Sequence, residues 1–510
     1  MVTRGCKQVA RQHPPAPEHP GQTKMSAAGG CGSKPRPKGT QVEEDRQYRH
    51  RRGAGATEHG RPKVLLPTAK NRPYWALLHS PDRPAVRSLC LQDENDATRA
   101  GLPLGQLIAM EQWQVPERSV QRTVKGAIRH LMVQLRQEIA PEGEPFQSLD
   151  GLPPLSRWQQ QRIAPYPDYR AQAQTLLTSL QTLRTRGTLD REVALIVAPP
   201  FSGLRQSLCQ LPTLDGEDGT QPWRLLQPPD ELCISAERAR RWWDEQDLSQ
   251  PWVVAELADF WLRHPTGLAL ITELLRRIAA DETGPGIVSC SSWCWQFWAS
   301  YLPDAHLGPV TPAPLDAQRL GQWFSHLASP RGERPLVARM AEDGSYVLPS
   351  EDPVDAPHRK HAGFLRDLAI AARGNPGVAL AIWQHALRAR PEEDTETEEQ
   401  ATAAEGKHQE CWVVRMDQLS LPTMLQTYDR TIGFVLHALL LHDGLDEAAL
   451  EKVTGAGAAP LQLALARLAR ADIIRKGKRS HHWRVTPLGY PTVRRHLQSW
   501  GYPVDPFQGE

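Results

Sequence analysis

Between residues 169 and 325, short apolar runs alternate with amphipathic stretches, and this alternation constrains the chain more than any other feature. Leu176, Leu177, Leu180 and Leu183 recur at helical spacing within Tyr169–Arg184. Val193-Ala194-Leu195-Ile196-Val197 comes next, entered from charge and left through Pro199-Pro200. A run with no polar position fits a strand covered on both faces. Trp223–Leu226, Trp252–Leu257 and Ile287–Cys290 repeat the pattern, with helical stretches at Ala236–Glu245 and Leu268–Ile278 between them. Ser235 is an N-cap type residue before the first of these. Repeated strand–helix alternation predicts an α/β fold, a parallel sheet with helices on both faces.

Around this core the composition changes. Residues 1–63 carry 13 Lys/Arg against 5 Asp/Glu, with no aliphatic periodicity, and read as a disordered basic leader. Met25 lies inside it as a second candidate start. Residues 64–168 read as a mixed or helical extension, with a strand or turn at Pro73–Leu78 and a helix over Ser119–Ile139. After 169–325, helices at Phe364–Ala372 and Val378–Ala389 mark a helical subdomain over 326–390. Residues 391–410 hold eight acidic side chains and one Lys and read as a linker. In 411–505, three helical patterns (432–440, 445–453 and 461–468) precede two short strands around a basic turn, and Val493, Leu497 and Trp500 mark a last helix. That order is the order of a winged helix-turn-helix.

The eight cysteines have no Cys-x-x-Cys pair, so no structural zinc site is expected, and scattered thiols suit a reducing compartment. No apolar run approaches the roughly 18–20 residues of a membrane span. The chain reads as a cytoplasmic protein without a membrane span.

Four stretches are candidates for chemistry. A phosphate-binding loop needs Gly-x-x-x-x-Gly-Lys-Ser/Thr between a strand and a helix, so that backbone N–H groups, a Lys and a Mg²⁺-holding hydroxyl meet the phosphates. The stretch Ala198–Arg205 retains only Gly203; Leu204 stands for the Lys and Arg205 for the hydroxyl, and two prolines remove N–H donors. Gly203 and Arg205 remain candidate phosphate contacts. Glu256 ends the next strand pattern, where a metal-ordering carboxylate is needed, and its alternative is a cap or a pair with Arg263. Arg263, in Phe260–Gly267, is a candidate contact to a neighbouring subunit, a partner or the sheet edge. Ser291 comes after the fourth strand, and the tryptophans at 293, 295 and 298 read as packing anchors. The fourth stretch, 467–495, holds nine Lys/Arg against one acid. Arg467, Arg470, Lys476, Lys478 and Arg479 are its candidate nucleic-acid contacts.

In this order the pieces resemble a P-loop NTPase of the AAA/STAND type with a C-terminal winged helix, over about 169–500. Gly374-Asn375-Pro376-Gly377 is similar to the Gly-x-Pro turn of that group's helical subdomain, which implies that Pro376 lies near an adenine. The resemblance also places Glu256 at the Walker B carboxylate and Ser291 at a polar sensor. The Leu-Arg-His-Pro-x-Gly-Leu and Ser-Trp-x-Trp phrases are similar to uncharacterised bacterial ATPase-like proteins. With its phosphate loop altered, such a chain is expected to be a degenerate module acting as regulator or scaffold, binding ATP or ADP weakly, with Mg²⁺ an open question. It would act through the winged helix on DNA or protein and form a candidate homo-oligomer. The alternatives are a DNA-binding transcriptional regulator, and an active ATPase in which Arg205, Glu256 and Ser291 work on an unconventional phosphate site.

Overall fold

The computed structural model describes residues 104, 106–116, 151–189, 191–214, 222–303, 307–329, 335–349, 361–389, 409–424, 429–477 and 481–507. All of them fall within one compact unit, Arg72–Glu510. The leader, the stretches at 73–78 and 119–139, most of the acidic segment, and Lys478 and Arg479 lie outside the described residues.

The predicted parallel sheet is present. Its strands are β1 (Leu107–Ala109), β2 (Val193–Ala198), β3 (Arg224–Leu225), β4 (Trp252–Val254), β5 (Gly286–Ser291) and β6 (Val310–Pro312). They lie in the order β1-β6-β2-β5-β4-β3. All neighbours pair parallel except β1, which adds antiparallel to β6. β2 is buried along its whole length because both of its faces are covered. Val193, Leu195 and Val197 enter one apolar cluster with Trp243 and Leu274, while Ala194 and Ile196 enter another with Leu176 and Leu180.

Local rules set the helices. In α1 (Arg157–Ile163), Ser156 and Gln159 form a reciprocal capping box. In α2 (Tyr169–Thr185), the Asp168 carboxylate accepts from the Arg170 and Ala171 amides. The short α3 (Leu204–Leu208) starts after Gly203, whose φ of +87° needs glycine. α4 (Ala236–Asp244) is capped by Ser235, and α5 (Ala269–Ala279) packs against it, with Trp243 Nε1 donating to the Leu270 carbonyl. α6 (Ser292–Tyr301) begins directly at the end of β5. Trp293, Trp295 and Trp298 are all buried, in line with packing anchors.

The strand expected to reach Leu257 ends at Val254. The Glu256 carboxylate accepts the Ala258 amide and caps a 3-10 turn over Leu257–Phe260, which bends the chain out of the sheet.

α7 (Ala317–Ala328) follows the first sheet, and α8 (Phe364–Ala371) and α9 (Pro376–Ala386) stand where helices were expected at 364–372 and 378–389, the second ending at Ala386. A second sheet accompanies them, β7 (Leu336–Met340), β8 (Leu387–Arg388) and β9 (Gln409–Val413), ordered β7-β9-β8. Gln409 and Glu410, expected to end the linker, instead open β9 and pair with Leu336 and Val337. The chain closes with α10 (Arg430–Leu441), α11 (Glu447–Thr454), α12 (Ala458–Arg470), the antiparallel hairpin β10 (Ile474–Lys476) and β11 (Trp483–Val485), and α13 (Tyr490–Ser499). One apolar cluster runs from α7–α9 through α10–α13 and includes Leu262 and Trp293 from the first sheet's side. No helix among the described residues is long and apolar enough to cross a membrane.

Candidate functional site

The carboxyl end of β2 opens into Pro199-Pro200-Phe201-Ser202-Gly203. Phe201 holds a left-handed conformation with φ of +68°, a costly state for an aromatic residue. The turn N-terminal to α9 helps to hold it there. Asn375 Nδ2 donates to the Pro200 carbonyl at 2.5 Å, and the Phe201 ring lies edge-on to Tyr490 at 5.6 Å between centroids. A Cβ on Gly377 would stand 2.0 Å from the Phe201 carbonyl oxygen, so only glycine permits this approach.

As an anion cradle the loop is depleted. Pro199 and Pro200 have no N–H. The Ser202 amide is spent on the Pro199 carbonyl and the Leu204 amide on Ser202 Oγ. Arg205 is committed elsewhere: Nη2 meets Asp259 Oδ2 at 2.7 Å and Nη1 meets Asp443 Oδ2 at 3.0 Å. Arg484, from β11, reaches Asp443 Oδ2 at 3.6 Å. Two arginines and two aspartates thus join the loop, the turn after β4 and the C-terminal helices.

Glu256 is buried beside this cluster, and its Oε1 also lies 3.4 Å from the Ser291 amide. Burial, then the Asp443 and Asp259 charges, push its carboxyl up to about 8. Burial and Asp443 raise Asp259 as well, against the pull of Arg205. Ser291 caps α6, its Oγ accepting the Cys294 amide at 3.2 Å. Glu256 thus spends a carboxylate oxygen on the Ala258 amide, and the Ser291 hydroxyl serves as a helix cap.

Arg263 meets two histidines, one within α10 and one at its end. Its amide lies 3.3 Å from His442 Nε2 and its Nη1 3.3 Å from His437 Nδ1. Burial, then Arg263, hold His437 down to about 4 and His442 to about 3.

A cavity of about 160 Å³ lies between the start of α2, the β2–α3 loop and α9. Gly203 and Pro376 meet on its wall with Tyr166, Tyr169 and Phe201. Arg205, Glu256 and Ser291 are not among its lining residues. The aromatic wall escaped the sequence reading, although Tyr166-Pro167-x-Tyr169 immediately before a helix was its visible signal.

On the C-terminal helices, Arg467 and Arg470 lie exposed on α12 together with Gln462 and Leu463. Lys476 is paired with Glu447 at 2.9 Å and sits over the Trp483 ring at 5.4 Å.

No protein-family model matches the chain. No curated protein matches it either. Among solved structures the chain is similar to the ORC2 protein of Aeropyrum pernix, determined as ADPNP and ADP complexes, at 12% identity and a TM-score of 0.26, over 79% of this chain and 97% of that one.

Proposed function

We propose that this chain is a nucleotide-binding-like regulatory or scaffold module with a degenerate phosphate loop, and not an efficient ATPase. One observation carries the reading. Arg205 stands where a P-loop has its magnesium-holding hydroxyl, and both ends of its guanidinium are taken by Asp259 and Asp443. A cation fixed between two carboxylates fills the role that metal and phosphate share in a working site. A nucleotide that binds here places its base in the aromatic cavity by Gly203 and Pro376, and finds little beyond it to grip phosphate.

We read the helix–helix–helix–hairpin–helix unit as a winged helix used for protein contact. Lys476 and Arg484 are paired within the chain, and Leu463 is half exposed at the centre of α12. An apolar side chain there suits a protein surface better than base edges. Arg467 and Arg470 keep duplex DNA as the second reading, since both lie exposed on the same helix.

Hydrolysis of ATP by the full chain with Mg²⁺ tests the first part. We expect no turnover above a no-protein control; brisk turnover that Glu256→Gln abolishes overturns it. Salt-dependent retention of the full chain on duplex DNA tests the second. Retention at low ionic strength that is lost on charge reversal at Arg467 and Arg470 makes DNA the partner.

A further inference from the structure

We infer that residues 501–507 are a strap that holds the β2–α3 loop in its left-handed conformation, so that strap and loop open together. The inference goes beyond the nucleotide-binding-like reading and does not depend on it, because it concerns the loop with or without a ligand.

The strap is directed by its own sequence. Gly501, at a φ of +75°, ends α13 in a Schellman turn. Its amide donates to the Gln498 carbonyl at 3.1 Å, and the Tyr502 amide donates to the Leu497 carbonyl at 3.0 Å. Pro503 keeps the chain from resuming a helix. The chain then leaves the C-terminal helices. Val504, Asp505 and Phe507 are buried, and Phe507 enters the apolar cluster of the first sheet, its ring 4.6 Å from that of Trp113.

Asp505 is the anchor. Its Oδ1 accepts from Arg494 Nε at 3.1 Å and Nη2 at 3.0 Å. Its Oδ2 accepts from Ser292 Oγ and from the Tyr490 hydroxyl, each at 3.1 Å. The two side chains of the ion pair are 6% and 3% exposed. Such a pair resists opening, because either partner alone would be left charged in a dry site.

Two routes lead from this anchor to the loop. The first runs through Tyr490. Its hydroxyl, bound to Asp505, also accepts the Trp293 indole N–H at 3.1 Å, and its ring stands edge-on to Phe201. The second runs through Arg373. The Phe507 carbonyl accepts from Nη2 of both Arg373 and Arg494. Arg373, at a φ of +54°, lies two positions before Asn375, whose Nδ2 holds the Pro200 carbonyl. Arg373 and Phe201 are thus both left-handed residues other than glycine, a state that lasts only while the surroundings enforce it. The strap supplies contacts toward both. Phe201 and Gly377 also line the cavity, so the seating of the strap sets part of the cavity wall.

Hydrogen exchange read by mass spectrometry on the full chain, without nucleotide, tests the link. In the unaltered chain under sub-denaturing urea, the amides of residues 201–205 and 501–507 are expected to open at one common free energy, well before those of β5. Phe507→Ala should speed exchange at 201–205 by about tenfold and leave β5 at the parent rate. Arg373→Met cuts the second route without touching the apolar anchor and should act in the same direction. Loop and strap opening at different urea concentrations in the unaltered chain overturns the inference, and this measurement decides it even where a variant fails to fold. Exchange that quickens at 501–507 in both variants and stays unmoved at 201–205 overturns it as well. So does acceleration spread equally over β5, which would make the strap a general stabiliser. None of these outcomes bears on the nucleotide reading, which the turnover measurement tests separately.

Discussion

Arg205 and Asp443 are 238 positions apart in sequence and are joined by a bond of 3.0 Å from Nη1 to Oδ2. Arg205 is the second residue of α3, after the β2 loop, and Asp443 lies just past the end of α10 with a φ of +48°. The bond ties the C-terminal helices to the carboxyl edge of the sheet. Burial opposes the Arg205 charge, and Asp259 and Asp443 more than restore it, so its guanidinium stays cationic.

A double-mutant cycle on Arg205→Met and Asp443→Asn measures that tie. We expect a coupling of about 1–3 kcal/mol in urea unfolding, below the roughly 3–5 kcal/mol lost on breaking a fully buried pair. The discount reflects side chains that remain 29% and 25% exposed. Additive single effects would show that the two groups are neighbours without an energetic link.

Glu256 gives the fold a dependence on pH between its unfolded and folded carboxyl values. Its carboxyl titrates at about 8 in the folded chain, against about 4.3 when unfolded. A raised carboxyl favours the protonated state, so its stabilisation is complete below the unfolded value and is lost as pH rises through the folded one. The melting temperature of the unaltered chain should fall over that window. Glu256→Gln keeps an oxygen for the Ala258 amide and should flatten the profile, matching the parent at about pH 4 and exceeding it increasingly up to about pH 8. A parallel fall in both chains sinks the assignment.

His437 and His442 act with the opposite sign. Depressed folded values of about 4 and about 3 mean that their stabilisation is present above about pH 6.5 and fades as pH drops toward the folded values. Arg263 faces both rings. Arg263→Gln should raise the His437 midpoint, read by NMR on the ring Cε1 proton. An unmoved midpoint assigns the whole depression to burial.

Gly377→Ala should cost about 1–3 kcal/mol, because its Cβ meets backbone at the Phe201 carbonyl and not a side chain that can swing away. Gly151→Ala, with nothing within 4 Å, should stay within about 0.5 kcal/mol. Thermal unfolding of the two variants decides it; equal effects would mean that the loop yields.

What was legible in the sequence depends on the range of the interactions. The Val193–Val197 run and the leucines of α2 announce themselves because burial on a sheet or along a helix face needs only local periodicity. Ser235 declares α4 by its cap. Ser291 carries the same kind of cap for α6. Glu256 extended β4 on paper because nothing in its neighbours reveals that its carboxylate turns back on the Ala258 amide. β7 and β9 pair across some seventy residues, and no local pattern encodes that register. The partners of Arg205 were out of reach for the same reason: its aspartates lie 54 and 238 positions away.

The margins of the first sheet carry one more consequence. On one side β1, three residues long, runs against the direction of its neighbours; on the other, β3 is two residues long. Margins this short offer an incoming chain almost no ladder to extend. Copies of this protein that gather into an assembly would find little purchase at either margin of this sheet as far as its described residues run.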